Sequence, residues 1–185
     1  MITETTLEIN LSALKKNFLY IKSKLAPETL LLAVVKAFGY GSDAIEVAKF
    51  LEKLGIDYFA VAYVNEGVEL RNAGVKSPIL VLHPQISNFK KAIEFNLEPS
   101  LYSNRVLEAF IELSVKLGLK DYPVHIKFNT GLNRLGFPYK SSGLIAKNLS
   151  QKKSLKIKSI FSHLAASEDL NEKSFTKLQI EAFDR

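Results

Sequence analysis

Cysteine is absent from the 185 residues, which excludes disulfides, thiolate metal ligands and a cysteine nucleophile, and fits a reducing compartment. No run is apolar and long enough to cross a membrane. The opening Met1-Ile2-Thr3-Glu4-Thr5-Thr6 has neither the basic start nor the apolar core of a signal peptide. Histidine is scarce. The three present, His83, His125 and His163, are scattered without paired carboxylates and form no metal-ligand cluster. Low-complexity segments, linkers and repeats beyond a strand–helix pattern are missing too. Apolar residues are plentiful, at 47% of the chain, enough for one globular domain with a sizeable core. The net charge is +6, and its densest basic run extends from Lys147 to Lys158. There Lys156 and Lys158 alternate with Ile157 and Ile160, as in a strand with one wet face. Nucleic-acid surfaces concentrate basic residues with aromatics, so neither nucleic acid nor membrane is expected as a partner.

Along the chain, short apolar runs alternate with amphipathic stretches. Thr5–Asn10 reads as a short strand, and Ser12 as the cap of a helix through about Lys24. Strands are expected at Leu31–Lys36, Tyr58–Ala62, Ile79–Leu82, Pro99–Tyr102, Val124–Phe128 and Ile157–Ser162. The helices that follow them are expected over Ala44–Leu54, Asn65–Asn72, Ser87–Phe95, Asn104–Leu117, from Ser141, and over Glu172–Asp184. Six strand–helix units in a row argue for parallel α/β architecture. A closed eight-unit barrel typically takes about 250 residues. An open doubly wound sheet meets the same unit count.

One lysine stands out. Lys36 ends the run Leu30-Leu31-Leu32-Ala33-Val34-Val35, which reads as a buried strand, and precedes Ala37-Phe38-Gly39-Tyr40-Gly41, which reads as a tight turn. Ser42 or Asp43 is placed to cap the next helix. An ammonium at a buried strand end either finds a counter-charge or loses its proton, and a neutral lysine amine attacks carbonyls. The simpler alternative is a strand-end lysine reaching solvent. Arg134, after the fifth strand, and His163, after the sixth, share the C-terminal strand-end address, which is where barrel active sites lie.

The segment Val34-Val35-Lys36-Ala37-Phe38-Gly39-Tyr40-Gly41 resembles the pyridoxal-phosphate lysine motif of alanine racemases. Two further segments, His125-Ile126-Lys127-Phe128-Asn129-Thr130-Gly131-Leu132-Asn133-Arg134-Leu135-Gly136 and Ser162-His163, resemble that family's second and third signatures, in family order. The resemblance runs over essentially the whole chain. It implies a partial TIM-like (β/α) barrel of about six of eight units, with residues 1–185 as its N-terminal portion. The remaining barrel and a C-terminal β domain would then lie outside this sequence.

The same resemblance implies an enzyme that interconverts L-alanine and D-alanine through a Schiff base of pyridoxal 5'-phosphate on Lys36, supplying peptidoglycan precursors. It implies a cytoplasmic homodimer with shared active sites and a small amino acid as substrate. Tyr40, His163 and Arg134 are the implied cofactor contacts, and Arg134 also the substrate contact. Lys127 matches a lysine that is carbamylated in many members. Each residue has a plainer reading: Tyr40 as rim packing, His163 as a satisfied structural histidine, Lys127 as a buried amine paired to an acid. The family's usual Asp, Met, His and Gly are here Asn129, Leu132, Ser42 and Asp43. The opposite-face base, the main phosphate grip and the arginine facing the pyridine nitrogen come from parts outside residues 1–185. The isolated chain is therefore expected to be inactive. Two other readings are a non-catalytic pyridoxal-phosphate homeostasis protein of related barrel fold and a cofactor-free interaction module.

Overall fold

Strand–helix alternation is present in the computed structural model, which describes residues 5–185. The elements run α1 (Leu11–Lys22), β1 (Leu32–Val34), the five-residue turn α2 (Lys36–Tyr40), α3 (Ala44–Lys53), β2 (Tyr58–Val61), α4 (Val64–Asn72), β3 (Ile79–Val81), α5 (Phe89–Glu94), β4 (Glu98–Leu101) and α6 (Asn104–Lys116). Then come β5 (Tyr122–Asn129), the two-residue β6 (Phe137–Pro138), α7 (Ser142–Ser150), β7 (Leu155–Phe161) and α8 (Lys173–Asp184). All described strand pairs are parallel. The chain divides into two compact units: residues up to Pro84 with Lys91–Leu97, and Gln85–Lys90 with Glu98–Arg185.

In the first unit β1 pairs β2 and β2 pairs β3, with Ala33 opposite Phe59 and Ala60 opposite Leu80. The core is built from Phe59, Val61, Ile79, Val81 and Leu97, with Phe18, Ala48, Leu51 and Leu70 from the helices. A Cβ at Gly67 on α4 would meet the Leu97 methyls at 2.8 and 2.9 Å, so any larger residue there would have to displace Leu97. The Arg71 guanidinium holds the chain around α4. It donates to the carbonyls of Val75 and Ser77 at 2.8 Å, Asn96 at 3.0 Å and Phe95 at 3.1 Å. A planar fork suits this many acceptors where a point charge does not.

In the second unit β5 pairs β4, β6 and β7. Its aromatic core sets Phe110 edge-on to Phe89, ring centroids 4.9 Å apart, and tilted against Tyr122 at 5.8 Å. Pairing of β5 with β7 shifts register between Val124 and His125, passing over Lys158 so that His125 lies opposite Ser159. Such a bulge re-aims the side chains beyond it.

Four expectations need correcting. Thr5–Asn10 forms no strand, because alternation alone does not supply a sheet edge to join; Leu7 there is exposed. Asn10, not Ser12, caps α1, accepting from Ala13 N at 2.9 Å. The first strand is shorter than expected and not buried: Leu32 and Val34 are 38% and 39% exposed, since β1 is paired on one side only among the described residues. Likewise β7 is exposed on both faces from Lys156 to Ile160, not on one.

Glu52 on α3 fastens the approach to β3. Its Oε1 accepts from Ser77 N at 2.6 Å, Ser77 Oγ at 2.7 Å and Lys76 N at 2.8 Å. Burial pushes this carboxyl up, but the Ser77 and Lys76 donors and the Arg71 charge outweigh it and hold the pKa below the ordinary 4.5. A carboxyl depressed by folding stabilises the fold above its unfolded pKa and stops doing so as pH falls through the folded one. In denaturant unfolding against pH, the native protein should therefore lose stability relative to Glu52→Gln as pH drops below about 4.5. A difference that stays constant down to about pH 2 would contradict this.

Candidate functional site

The stretch after β1 is the most unusual backbone in the molecule. Ala37 (φ 50, ψ 53), Phe38 (φ 55, ψ 41) and Gly39 (φ 63, ψ 35) are all left-handed, and Tyr40 follows at φ 56. L-residues pay roughly 1–2 kcal/mol each in this conformation, so α2 is a turn imposed by its surroundings. Gly39 is required twice over: its φ is positive, and a Cβ would meet Ala44 N at 3.0 Å. The turn closes through Gly39 N to Val35 O at 3.1 Å and Gly41 N to Phe38 O at 3.1 Å, while Val35 N is tied to Ala60 O at 2.9 Å. Asp43, itself at φ 56, caps α3 by accepting from Ile45 N and Glu46 N at 3.0 and 3.1 Å.

Lys36 is thus the residue between a paired strand and a strained turn. Its side chain is half-buried, less enclosed than a buried strand end would make it. Among the described residues no carboxylate pairs with it, and its Nζ lies 5.9 Å from the Tyr40 ring centroid. Tyr40 itself is exposed. The structure brings these two expected residues together. At the neighbouring strand ends, Tyr63 and His83 face each other with ring centroids 5.6 Å apart.

The second unit holds the other candidates. Lys127 lies inside β5 and not at its end. It is 6% exposed, with Nζ 5.7 Å from the Phe161 ring centroid. Arg134 is exposed in the loop between β5 and β6, and His163 is exposed just beyond β7. The loop bearing Arg134 is shaped by Asn129. Its Oδ1 accepts from Gly131 N at 3.1 Å and Asn133 N at 3.0 Å, and its Nδ2 donates to Asn133 Oδ1 at 2.9 Å. An asparagine serves this turn because its side chain accepts from the backbone two residues on.

Gln179 on α8, 1% exposed, holds the His163 segment. Its Nε2 donates to His163 O at 3.1 Å and to Thr130 Oγ1 at 3.4 Å, and its Oε1 accepts from Ala165 N at 2.9 Å. Thr130 Oγ1 and Ser162 Oγ are 2.8 Å apart, and Ser162 Oγ donates to Phe128 O at 2.9 Å. One polar cluster therefore joins the β5 loop to the β7 loop. Deeper in the strands, His125 is held between Glu98 Oε2 and Ser159 Oγ, each at 2.7 Å.

Sequence reasoning passed over Glu66, Asn129 as a turn-former, Gln179 and the Glu98–His125 pair. Asn129 followed two residues later by Gly131 was a readable turn signal. No local pattern marks Gln179, whose partners lie 14 to 49 positions away. Gln179→Leu should leave Ala165 N–H and His163 C=O without their partner and cost about 1–3 kcal/mol. Amide exchange at Ala165 should quicken in that variant. Unchanged exchange and unchanged unfolding free energy would show that the segment is held by something else.

The donor set at Lys36 fits pyridoxal phosphate: a half-buried primary amine with no carboxylate partner among the described residues, and a tyrosine hydroxyl four positions on. Comparison with known proteins points the same way. The family model described as alanine racemase, N-terminal domain, matches residues 9–185. The alanine racemase of Citrifermentans bemidjiense is 38% identical over 97% of this chain and 48% of its own length. Among solved structures, alanine racemase of Clostridium difficile 630 superposes with a TM-score of 0.90 at 32% identity, covering 98% of this chain and 49% of that one. Alanine racemase of Bartonella henselae, with covalently bound pyridoxal phosphate, gives 0.85 at 31% identity over 96% and 51%. The chain spans about half the length of the curated relatives it matches. The expected class, parallel α/β as in part of a TIM-like barrel, is the fold it shares with these structures.

Proposed function

Because the chain belongs to the alanine racemase N-terminal domain family, we propose that it carries the lysine-bearing half of an alanine racemase that interconverts L- and D-alanine with pyridoxal 5'-phosphate. The observation behind this reading is Lys36: an amine at the end of β1, half-buried, free of carboxylates among the described residues, and followed by a turn the backbone resists.

Bound pyridoxal phosphate would supply an electron sink that makes the substrate Cα proton removable. Lys36 would hold the cofactor covalently, and its amine would carry a proton to and from one face of the substrate Cα. Tyr40 would donate its hydroxyl to the cofactor phosphate. Arg134 would bind the substrate carboxylate and the cofactor ring oxygen, a task that suits a planar fork of donors. His163 would orient the cofactor ring from the loop that Gln179 holds. Lys127, in family members a carbamylation site, would orient Arg134. The peptidoglycan-precursor role, the cytoplasmic setting and the homodimer belong to the same proposal.

Borohydride reduction of the protein incubated with pyridoxal phosphate, followed by peptide mapping, tests the reading. The pyridoxyl group should be found on the peptide containing Lys36 and be lost in Lys36→Ala. A label confined to other lysines would remove Lys36 from the site. Label on Lys36 without any conversion of L- to D-alanine by the full-length protein would favour a cofactor-binding role over a racemase.

A further inference from the structure

Glu66, the third residue of α4, accepts three main-chain N–H groups with one carboxylate. Oε2 takes Ala62 N at 2.6 Å and Tyr63 N at 3.0 Å. Oε1 takes Ala37 N at 2.8 Å, from a residue 29 positions earlier. The bond from Tyr63, the N-cap of α4, is the one by which an acidic residue at the third helical position closes a helix start, and the bond from Ala62 extends the hold to the residue before the cap. The third is not needed for that purpose. It joins the end of β2 to the peptide that immediately follows Lys36.

That peptide has particular importance. Its N–H belongs to Ala37, the first residue of the left-handed turn. Holding the N–H fixes the plane between Lys36 and Ala37, and with it ψ of Lys36 and φ of Ala37. That plane, with the bond from Val35 N to Ala60 O upstream, restrains the backbone on both sides of Lys36 Cα, from which its side chain leaves. The turn's own bonds, from Gly39, Gly41 and Ser42, all stay within residues 35–42. They close the turn without saying where it sits on the sheet. Without an external tie, Ala37 would relax toward the right-handed or extended regions that L-residues favour.

We propose that Glu66 is a positioning residue for Lys36: its carboxylate, shared between Ala37 N–H and the start of α4, keeps the turn left-handed and the Lys36 amine aimed where it meets a carbonyl ligand. This rests on Lys36 being the cofactor lysine. A purely structural role would make Glu66 a helix cap and nothing more.

The two are separated by the rate at which borohydride traps pyridoxal phosphate on Lys36 in the purified protein. Glu66→Gln keeps one side-chain oxygen for the cap but turns an NH2 toward Ala37 N–H, donor against donor. Labelling of Lys36 should slow about tenfold, the equivalent of one left-handed L-residue losing its support. Adding Ala37→Gly to Glu66→Gln should restore most of that rate, because glycine takes φ near +50° without steric cost, while doing nothing for the α4 cap. If Glu66→Gln does not fold, Glu66→Ala supplies the same reading, since it removes the acceptor of Ala37 N–H outright.

Equal labelling rates in the unsubstituted protein and in the folded Glu66 variant would overturn this proposal alone. A slow variant that Ala37→Gly does not rescue would also overturn it and reduce Glu66 to a cap. No label on Lys36 in the unsubstituted protein would overturn both this proposal and the cofactor assignment beneath it.

Discussion

Everything proposed for the first unit depends on a short backbone that L-amino acids resist. Ala37, Phe38 and Tyr40 all have positive φ, and each costs roughly 1–2 kcal/mol relative to a right-handed residue. A turn of that kind persists only when its surroundings over-determine it, and such strain gathers at functional sites. Here the surroundings can be named. Parallel pairing of β1 with β2 fixes the entry, Asp43 fixes the exit by capping α3, and Glu66 holds the first peptide of the turn from the start of α4. Gly39 is where a Cβ would press on the Ala44 backbone at 3.0 Å. The reward is placement. Lys36 leaves the sheet from a peptide pinned on both sides, on rigid elements and not on a loose loop, which is what a covalent cofactor site demands.

The second unit uses a different device. Two of its functional candidates, Arg134 and His163, stand on loops, and those loops are held by neutral side-chain amides and hydroxyls in place of paired charges. Asn129 folds the Arg134 loop on itself, and Gln179 reaches from α8 to the backbone beside His163. Neutral donors and acceptors at such positions are satisfied locally and shape the loops without needing a charged partner. Buried amides of this kind carry a penalty once one partner is removed, so residues outside the candidate set still fix where Arg134 and His163 stand. The His125 layer below, joined to Glu98 and Ser159 across three neighbouring strands, owes its geometry to the one-residue bulge in β7.

Much of this was legible from the sequence, and the division follows range. Strand–helix alternation is a local property, and all six units are where hydrophobic periodicity put them, with ends shifted by a residue or a few. Asp43 as a cap was legible for the same reason. Thr5–Asn10 misled because alternation reports a strand's faces and says nothing about whether a partner edge exists. The exposure of Leu32 and Val34 was hidden likewise, since burial depends on what lies beside a strand. Lys36 was visible through its motif and the turn after it through its glycines, yet the left-handed backbone of Ala37 and Phe38 was not. Gly39 and Gly41 signalled positive φ, but alanine and phenylalanine carry no such signal, and only long-range contacts force them there. Glu66 and Gln179 were missed on the same ground: their decisive partners lie 29 and up to 49 positions away.

The most direct check of the central claim compares Phe38→Gly with Phe38→Ala by equilibrium unfolding. Phe38 is 59% exposed, and both variants remove the ring, so their difference isolates the backbone. In an ordinary helical position glycine is less stable than alanine by roughly 0.5–1 kcal/mol. A left-handed turn imposed on the residues after Lys36 predicts the opposite sign, with glycine the more stable by about 1 kcal/mol. Alanine proving the more stable of the two would contradict the account.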